Sequence, residues 1–219
     1  MTRSRPAAGG GRTVEVAPER LSTWLDGVAT RHGAFTDVHD DDAGALHVTT
    51  ADGTTLTLTA PLGRRPDRPL LASFTATATT PRRVAVVLVR RGRWAVGVFE
   101  GAALVASKVD SRLVQGRTAA GGWSQQRFAR RRDNQTAAVA DAAVATAERV
   151  LLPHAADLVA LAPGGDRALV AEVLADPRLR RLAELPRLPS LDVGEPTKAV
   201  LLTTPRQFRA VRVLIREPG

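Results

Sequence analysis

The sequence has no cysteine, and its lysines are confined to Lys108 and Lys198. Without cysteine the chain can form no disulfide, no thiolate nucleophile and no zinc–thiolate site. Its histidines, at positions 32, 39, 47 and 154, show no spacing typical of metal ligands. We therefore expect neither a metal nor another cofactor.

Long apolar runs are also lacking. No stretch approaches the ~18 consecutive apolar residues that a helix needs to cross a bilayer. Residues 1–12 are rich in arginine, glycine and proline and contain no apolar core segment. This composition predicts a disordered basic tail rather than a secretory signal. We expect a cytoplasmic protein without a membrane partner.

Positive charge is abundant and is carried almost entirely by arginine. The 219 residues include 31 Lys and Arg against 22 Asp and Glu, a formal net charge of +9. GC-rich coding would explain arginine in place of lysine, but it does not explain the excess of basic over acidic residues. A basic surface attracts nucleic acid or anionic membrane.

The first third of the chain predicts a small module. Residues 18–33 have the helical period, with proline at the start and glycine at the end. Residues 45–50 and 54–60 alternate around Asp52-Gly53, which predicts a β-hairpin. Residues 61–70 are rich in proline and arginine and are typical of a linker. We therefore divide the chain into the tail, a helix–hairpin module with linker over 13–70, and a second domain over 71–219.

The second domain predicts strands first and helices later. Residues 84–90, 94–99 and 104–109 form three strands with tight turns, an antiparallel meander. A long helix follows over 124–150, and residues 157–161 indicate a short buried strand.

The rest of this domain alternates between helices and strands. Helices are predicted at 166–174, capped by Asp166, at 177–182 and near 206–210, with strands at 200–203 and 211–216. This order predicts an α/β domain with a mixed sheet, compatible with a ribonuclease-H-like layout.

Residues 121–135 carry the main functional signal. They read Gly-Gly-Trp-Ser-Gln-Gln-Arg-Phe-Ala-Arg-Arg-Arg-Asp-Asn-Gln, directly before the body of the long helix. Glycines let the backbone approach a ligand closely. A glutamine amide can hold a water molecule but cannot act as a base. Arginine has planar donors that suit phosphate. Water-holding chemistry beside a phosphate-binding segment favours an RNA substrate.

The motif Gly122-Trp123-Ser124-Gln125 matches a Gly-x-x-Gln pattern, and its surroundings resemble the Vms-type release-factor domain of ribosome quality control. More narrowly, residues 80–216 resemble the small actinobacterial peptidyl-tRNA hydrolases of that family. These are relatives of the catalytic middle domain of eukaryotic and archaeal peptide-release factors, which carries a Gly-Gly-Gln loop. The resemblance implies a ribonuclease-H-like core. It also implies cleavage of peptidyl-tRNA on a stalled large ribosomal subunit.

The resemblance assigns residue roles. Gln125 takes the catalytic glutamine position, Gly122 the leading glycine position, and Gly121 adds loop freedom. The expected tRNA- and rRNA-binding residues lie in and around this loop: Arg117, Trp123, Ser124, Gln126, Arg127, Arg130, Arg131 and Arg132. We expect peptidyl-tRNA and the large subunit as partners, and a monomer, since a ribosome-binding factor must reach a buried site.

Several alternatives stay open from the sequence. Trp123 departs from the release-factor pattern and either stacks on a base or anchors the loop by packing. Asp110 and Asp133 lie near the loop, and we favour ion pairing over a role as bases. The segment 163–166 could cradle a phosphate, although a tight strand–helix connection is favoured. An endonuclease acting on the tRNA 3′ end and a non-catalytic RNA-binding module remain rival functions.

Overall fold

The computed structural model describes residues 3–63, 69–112 and 124–218, with the backbone alone at residue 3 and residues 124–136. These residues form two compact units. The first comprises residues 1–80 together with 206–219, and the second comprises residues 81–205. Each unit has a sheet and a core of its own.

The first unit is built on a six-stranded antiparallel sheet. Its strands are β1 (Arg3–Pro6), β2 (Arg12–Val16), β3 (Phe35–Asp40), β4 (Leu46–Thr50), β5 (Thr55–Thr59) and β10 (Val211–Arg216). Their order is β1-β2-β10-β5-β4-β3. The helices α1 (Leu21–His32) and α2 (Leu70–Thr79) supply buried apolar side chains to the same core.

The predicted helix and hairpin of this unit are confirmed. A 3-10 turn at Pro18–Arg20 leads into α1, and Gly33 ends the helix with a positive φ of 84°. Strands β4 and β5 pair with Leu46 opposite Leu58 and Val48 opposite Leu56. All four side chains are buried. The turn between the strands is fastened by Asp52, whose Oδ1 accepts hydrogen bonds from Thr50 Oγ1 and the Thr54 backbone N–H.

The predicted division of the chain needs correction at both ends. Residues 3–6 form β1, paired antiparallel with β2, so this part of the expected disordered tail is a strand. Strand β10, expected in the second domain, lies between β2 and β5 of the first unit. Its alternating pattern buries Val211, Val213 and Ile215 and predicted a strand correctly. Local pattern carries no information on pairing between segments that are distant in the chain.

The expected linker also needs revision. Leu70, its last residue, begins α2, in which Leu70 and Phe74 are buried one helical turn apart. The helix was missed because threonine has low helix propensity. Thr75 and Thr79 donate their hydroxyls to the carbonyl oxygens of Leu71 and Thr75, within the helix itself. The compact units consequently divide near residue 80 rather than residue 70.

The second unit has a four-stranded mixed sheet. Strands β6 (Arg83–Arg90), β7 (Arg93–Glu100) and β8 (Ala103–Ser111) form the predicted antiparallel meander. Strand β9 (Leu158–Gly165) lies parallel to β6, giving the order β8-β7-β6-β9. This confirms the predicted α/β class with a mixed sheet.

Helices cover this sheet. They are α3 (Ser124–Leu151), α4 (Arg167–Leu174), the short helix α5 (Lys198–Thr203) and a 3-10 helix at Pro177–Leu182. The next helix along the chain, α6 (Pro205–Phe208), begins where the chain returns to the first unit. The strand predicted at 200–203 is wrong: it is α5, begun by Thr197, whose hydroxyl accepts from the Val200 N–H. Four residues, three of them apolar, are too few for periodicity to separate strand from helix. Over the described residues, no helix combines the length and the apolar character needed to cross a bilayer.

Candidate functional site

The predicted loop residues divide between two parts of the chain. Arg117, Gly121, Gly122 and Trp123 lie outside the described residues. Ser124 is the first residue of α3, so Gln125, Gln126 and the arginine cluster belong to the opening turns of this 28-residue helix. The structure therefore assigns the Gln125 backbone to a helix, at the boundary with the preceding segment.

Helical periodicity places Gln125 on a particular face of α3. At about 3.6 residues per turn, positions 18 residues apart are separated by five turns and share a face. Gln125 thus shares a face with Ala143, and Arg132 shares one with Val150. Both Ala143 and Val150 are buried in the core of the second unit. The backbone positions of Gln125 and Arg132 continue the stripe that packs on the sheet.

The other three arginines occupy a different face. By the same spacing, Arg127, Arg130 and Arg131 align with Ala145, Glu148 and Arg149. Ala145 and Arg149 are exposed, and Glu148 is half-buried. The helix therefore separates the glutamine position from three of the four arginine positions.

The later half of α3 is held firmly by the sheet. Its buried face consists of Val139, Ala140, Ala143, Val144, Ala147, Val150 and Leu151. Trp94 Nε1 on β7 donates to Thr146 Oγ1 at 2.9 Å, and Thr146 Oγ1 donates in turn to the Ala142 carbonyl. The small alanines let the helix approach the sheet closely, so the direction of its amino-terminal half is set by this packing.

A second attachment joins α3 to the 3-10 helix at Pro177–Leu182. Arg178 donates to Asp141 Oδ1 at 2.7 Å and to Asp176 Oδ1 at 3.0 Å. The Asp176 and Asp141 carboxylates raise the pKa of Arg178 above its usual value, and the Arg178 hydrogen bond lowers the pKa of Asp176. Both shifts keep the groups charged, so this contact persists across the physiological pH range.

A basic cluster at one end of the sheet was not predicted from the sequence. Arg90, Arg91 and Arg93 surround the β6–β7 turn, and the Arg112 backbone N–H donates to the Gly92 carbonyl at 2.7 Å. We call these four arginines the sheet-end arginines. Within the part of the chain that the structure describes, Arg91 and Arg93 make no ion pair. The sequence shows the run Arg-Arg-Gly-Arg in a turn. Its closeness to Arg112 follows only from the pairing of β7 with β8, in which Arg93 lies opposite Ser111.

The sheet-end arginines lie at the end of β8, directly before residues 113–123 in the sequence. Arg112 is the last described residue before position 124, and its Nη1 lies 3.4 Å from the Ala138 carbonyl oxygen of α3. From Ala138 back to Ser124 the helix extends about 20 Å. In the sequence, the sheet-end arginines therefore come before Gly122 and Gln125, and the arginines of α3 come directly after them.

The acidic residues considered from sequence are not grouped together. Asp110 is 3.7 Å from Lys108 Nζ and accepts from the Ser111 N–H, so it is ion-paired, with lysine rather than the expected arginine. Glu100 pairs with Arg83 at the opposite end of β7. Asp110 is opposite Trp94, and six strand residues span about 20 Å. Asp110 and Glu100 cannot share a metal ion; the Asp133 side chain lies outside the described residues.

The segment 163–166 forms the favoured strand–helix connection. Strand β9 extends to Gly165, beyond the predicted end at 161, and Asp166 caps α4 by accepting from Ala168 N and Leu169 N. The carboxylate itself thus occupies the helix amino terminus that a phosphate would need. Among the described residues, no group of three His, Asp or Glu side chains is placed to hold a metal ion.

Comparison with known proteins identifies the class. Residues 82–214 match the family described as Actinobacteria/chloroflexi VLRF1 release factor. This range contains the whole mixed sheet, the sheet-end arginines and the Gly-x-x-Gln motif. The match covers more than half of the chain and shows a release-factor class. The chain belongs to the VLRF1 release-factor family.

Comparisons with solved structures and with curated proteins give less information than the family match. The archaeal translation termination factor aRF1 shares 15% identity with a TM-score of 0.36, over 74% of this chain and 51% of that one. A second archaeal protein shares 16% identity with a TM-score of 0.35, over 74% and 52%. The chain thus spans about half the length of these two structures. No curated protein matches it.

Proposed function

We propose that this protein hydrolyses the ester bond of peptidyl-tRNA and so releases nascent chains from stalled large ribosomal subunits. One observation carries the proposal: a release-factor family match spans residues 82–214, and inside it Gly122 and Gln125 form a Gly-x-x-Gln motif at the start of α3. The expected substrate is peptidyl-tRNA, and the expected partner is the large ribosomal subunit with its RNA.

Gln125 is the residue that we expect to position the attacking water. An amide side chain can donate to one group and accept from another, which fixes a water molecule in line with the ester carbonyl. Its position on the sheet-facing side of α3, shared with the buried Ala143, distinguishes it from the arginines on the outer face. Positioning of this kind contributes up to ~7–11 kcal/mol in the best intramolecular models.

Gly121 and Gly122 are expected to help stabilise the negative charge that develops during hydrolysis. A backbone without Cβ atoms can approach the ester and present N–H donors to the oxyanion or to the leaving ribose oxygen. Asp110, the described carboxylate nearest in sequence, is engaged by Lys108 and by the Ser111 backbone. We therefore propose that no protein carboxylate acts as the base and that the proton passes to the tRNA ribose.

The arginines are expected to bind the RNA backbone. Arg127, Arg130 and Arg131 share the outer face of α3, which suits phosphates that run alongside the helix. In the sequence, the sheet-end arginines and Arg117 come before the Gly122–Gln125 motif, whereas the arginines of α3 follow it. Trp123, Ser124 and Gln126 complete the proposed contacts, with Trp123 stacking on a base. We further propose that the protein acts as a monomer in the cytoplasm.

The test is a release assay on stalled large-subunit–peptidyl-tRNA complexes. Wild type, Gln125→Ala and the control Gln135→Ala, which changes another glutamine of the same helix, are compared, and both the peptide and the tRNA 3′ end are resolved. We expect wild type and the control to release peptide and leave an intact tRNA. Gln125→Ala should bind the complex but slow release by on the order of 100-fold or more, since it can no longer position the water.

Two other outcomes would change the assignment. A shortened tRNA with nucleotide attached to the peptide would indicate an endonuclease. Binding without release by wild type would indicate an RNA-binding module, for which the excess of arginine would suffice. Equal release by wild type and Gln125→Ala would leave the hydrolase class possible but remove the glutamine from the mechanism.

A further inference from the structure

The first unit contains a groove that the proposed catalytic site does not use. It lies between α1 and the segment that begins at Arg206, beside the end of β2, and encloses about 970 Å³. That volume is at the upper end of the ~300–1,000 Å³ typical of small-ligand sites. Its walls are formed within residues 15–31 and 206–210.

One face of α1 lines the groove. Arg20, immediately before α1, and Trp24, Gly27 and Arg31 on it follow one another at intervals of three or four residues, so they form a single stripe. The indole of Trp24 is half-buried, with part of its surface accessible in the groove. An aromatic surface is thus flanked along the helix by a guanidinium group on each side.

Gly27 is the most unusual member of this stripe. Glycine is the least favourable residue in a helix interior apart from proline. Close packing often explains such a glycine, yet a Cβ atom added at Gly27 would meet no heavy atom within 4 Å. The position is open, and its emptiness widens the groove directly beside Trp24.

The charge of the groove is unbalanced. Arg20, Arg31 and Arg206 are exposed, and within the described residues none of them forms an ion pair. Glu15 is the one carboxylate among the described residues that line the groove, and it lies 4.0 Å from Arg212; the neighbouring Glu19 pairs with Arg209. Three exposed guanidinium groups around an aromatic floor complement a ligand that has a flat ring and several negative charges.

We propose that this groove binds single-stranded RNA, with one unpaired base stacked on Trp24 and the adjoining phosphates held by Arg20, Arg31 and Arg206. Stacking on an aromatic side chain together with arginine–phosphate contacts is the general way in which proteins hold unpaired strands. The site lies in the first unit and does not depend on Gln125. It therefore gives the protein a second RNA contact beyond the proposed ester hydrolysis.

The test uses the full-length protein and two fluorescein-labelled probes of about ten nucleotides, within the usual site sizes of unpaired strands. One is a mixed-sequence RNA, and the other is its abasic counterpart with the same phosphates. Wild type should bind the RNA more tightly than the abasic probe by about tenfold. An iodouridine-containing RNA should crosslink to the tryptic peptide of residues 21–31, which contains Trp24.

Three variants separate the contributions. Trp24→Ala should remove the preference for bases, and Gly27→Leu should do the same by filling the groove without deleting any packed side chain. The triple change R20Q, R31Q and R206Q should weaken both probes and reduce the slope of log affinity against log salt by about 2, at ~0.7 per phosphate contact. The matched control R5Q, R180Q and R181Q removes the same charge outside the groove and should keep the base preference.

Each outcome either supports the site or overturns it. The site is supported if Gly27→Leu loses both the crosslink and the preference for RNA over the abasic probe, while the R5Q, R180Q and R181Q control keeps both. If Trp24→Ala and Gly27→Leu keep the preference, or if wild type binds both probes equally, the groove is not a base-binding site. Peptide release is measured in parallel, so a failure here is distinguished from a failure of the hydrolase proposal.

Discussion

Trp94 Nε1 and Thr146 Oγ1 are joined by a buried hydrogen bond of 2.9 Å, which connects strand β7 to the helix that carries Gln125. Both residues are only 4% exposed, so neither group has water as an alternative partner. The core of the second unit and the placement of the proposed catalytic helix therefore depend on the same hydrogen bond.

Replacing Thr146 by valine should destabilise the protein. Valine keeps the shape but leaves the indole N–H of Trp94 buried without an acceptor, at a cost of about 1–3 kcal/mol. Thr146→Ser retains the hydroxyl and should cost less. Urea unfolding followed by circular dichroism measures both. Equal destabilisation in the two variants would mean that the methyl group, and not the hydrogen bond, is the important part of Thr146.

Gly165, at the end of β9, should not tolerate a side chain. Its φ is +103°, and a Cβ there would lie 2.2 Å from the Val89 carbonyl oxygen. We expect Gly165→Ala to lower the free energy of unfolding by about 2 kcal/mol or more. Gly194 provides the control, because a Cβ at that position meets nothing within 4 Å. Thermal unfolding compares the variants, and an unchanged Gly165→Ala protein would contradict this geometry.

The Asp52 turn predicts a pH dependence of stability. The hydrogen bond from Thr50, followed by those from the Thr54 backbone and His32, holds the pKa of Asp52 well below its usual value. A carboxyl with a lowered folded-state pKa stabilises the fold above its unfolded pKa of about 3.9. That stabilisation disappears as the pH falls towards the folded value.

Asp52→Asn should therefore be less stable than wild type at neutral pH, and the difference should shrink below about pH 4. Asp26→Asn, at an exposed position of α1, removes the same charge away from the turn and serves as the control. Thermal unfolding between neutral and acidic pH measures the effect. A difference that is constant with pH would show that Asp52 acts without its charge.

The outer-face arginines predict the salt dependence of ribosome binding. Replacing Arg127, Arg130 and Arg131 by glutamine should reduce the slope of log affinity against log salt by up to about 2–3, at ~0.7–0.9 for each phosphate that is no longer neutralised. Replacing Arg180 and Arg181, which are exposed elsewhere in the same unit, should change it less. Binding to isolated large subunits at several salt concentrations measures the slope. Equal slopes in both variants would indicate that bulk charge, and not the helix face, governs binding.

Local pattern was sufficient for most elements. The β6–β8 meander, the long α3 and the Asp166 cap of α4 were predicted because their signals are short-range: continuous apolar runs, tight turns and a capping carboxylate. The same reasoning failed where chain-distant pairing decides the outcome. Strand β10 belongs to the first unit because it pairs with β2 on one edge and with β5 on the other.

In the candidate site, too, local sequence pattern indicates some residues, whereas others become neighbours only in the folded chain. Gln125 and the arginine cluster are proposed from residue types and from the family resemblance, and the later, described part of α3 indicates which of their positions share a face. The sheet-end arginines and the Trp24 groove were missed because each brings together residues far apart in the sequence, such as Arg93 with Arg112 and Trp24 with Arg206. No periodicity in one segment predicts such neighbours.

The most direct test of ester hydrolysis is the fate of the oxygen atom. Peptide release from stalled large-subunit complexes is carried out in water labelled with heavy oxygen, and the released peptide is analysed by mass spectrometry. We predict one heavy oxygen in the new carboxyl group of the peptide and an intact tRNA 3′ end, with release by Gln125→Ala slower by on the order of 100-fold. A released peptide that still carries a nucleoside and contains no heavy oxygen would contradict the account.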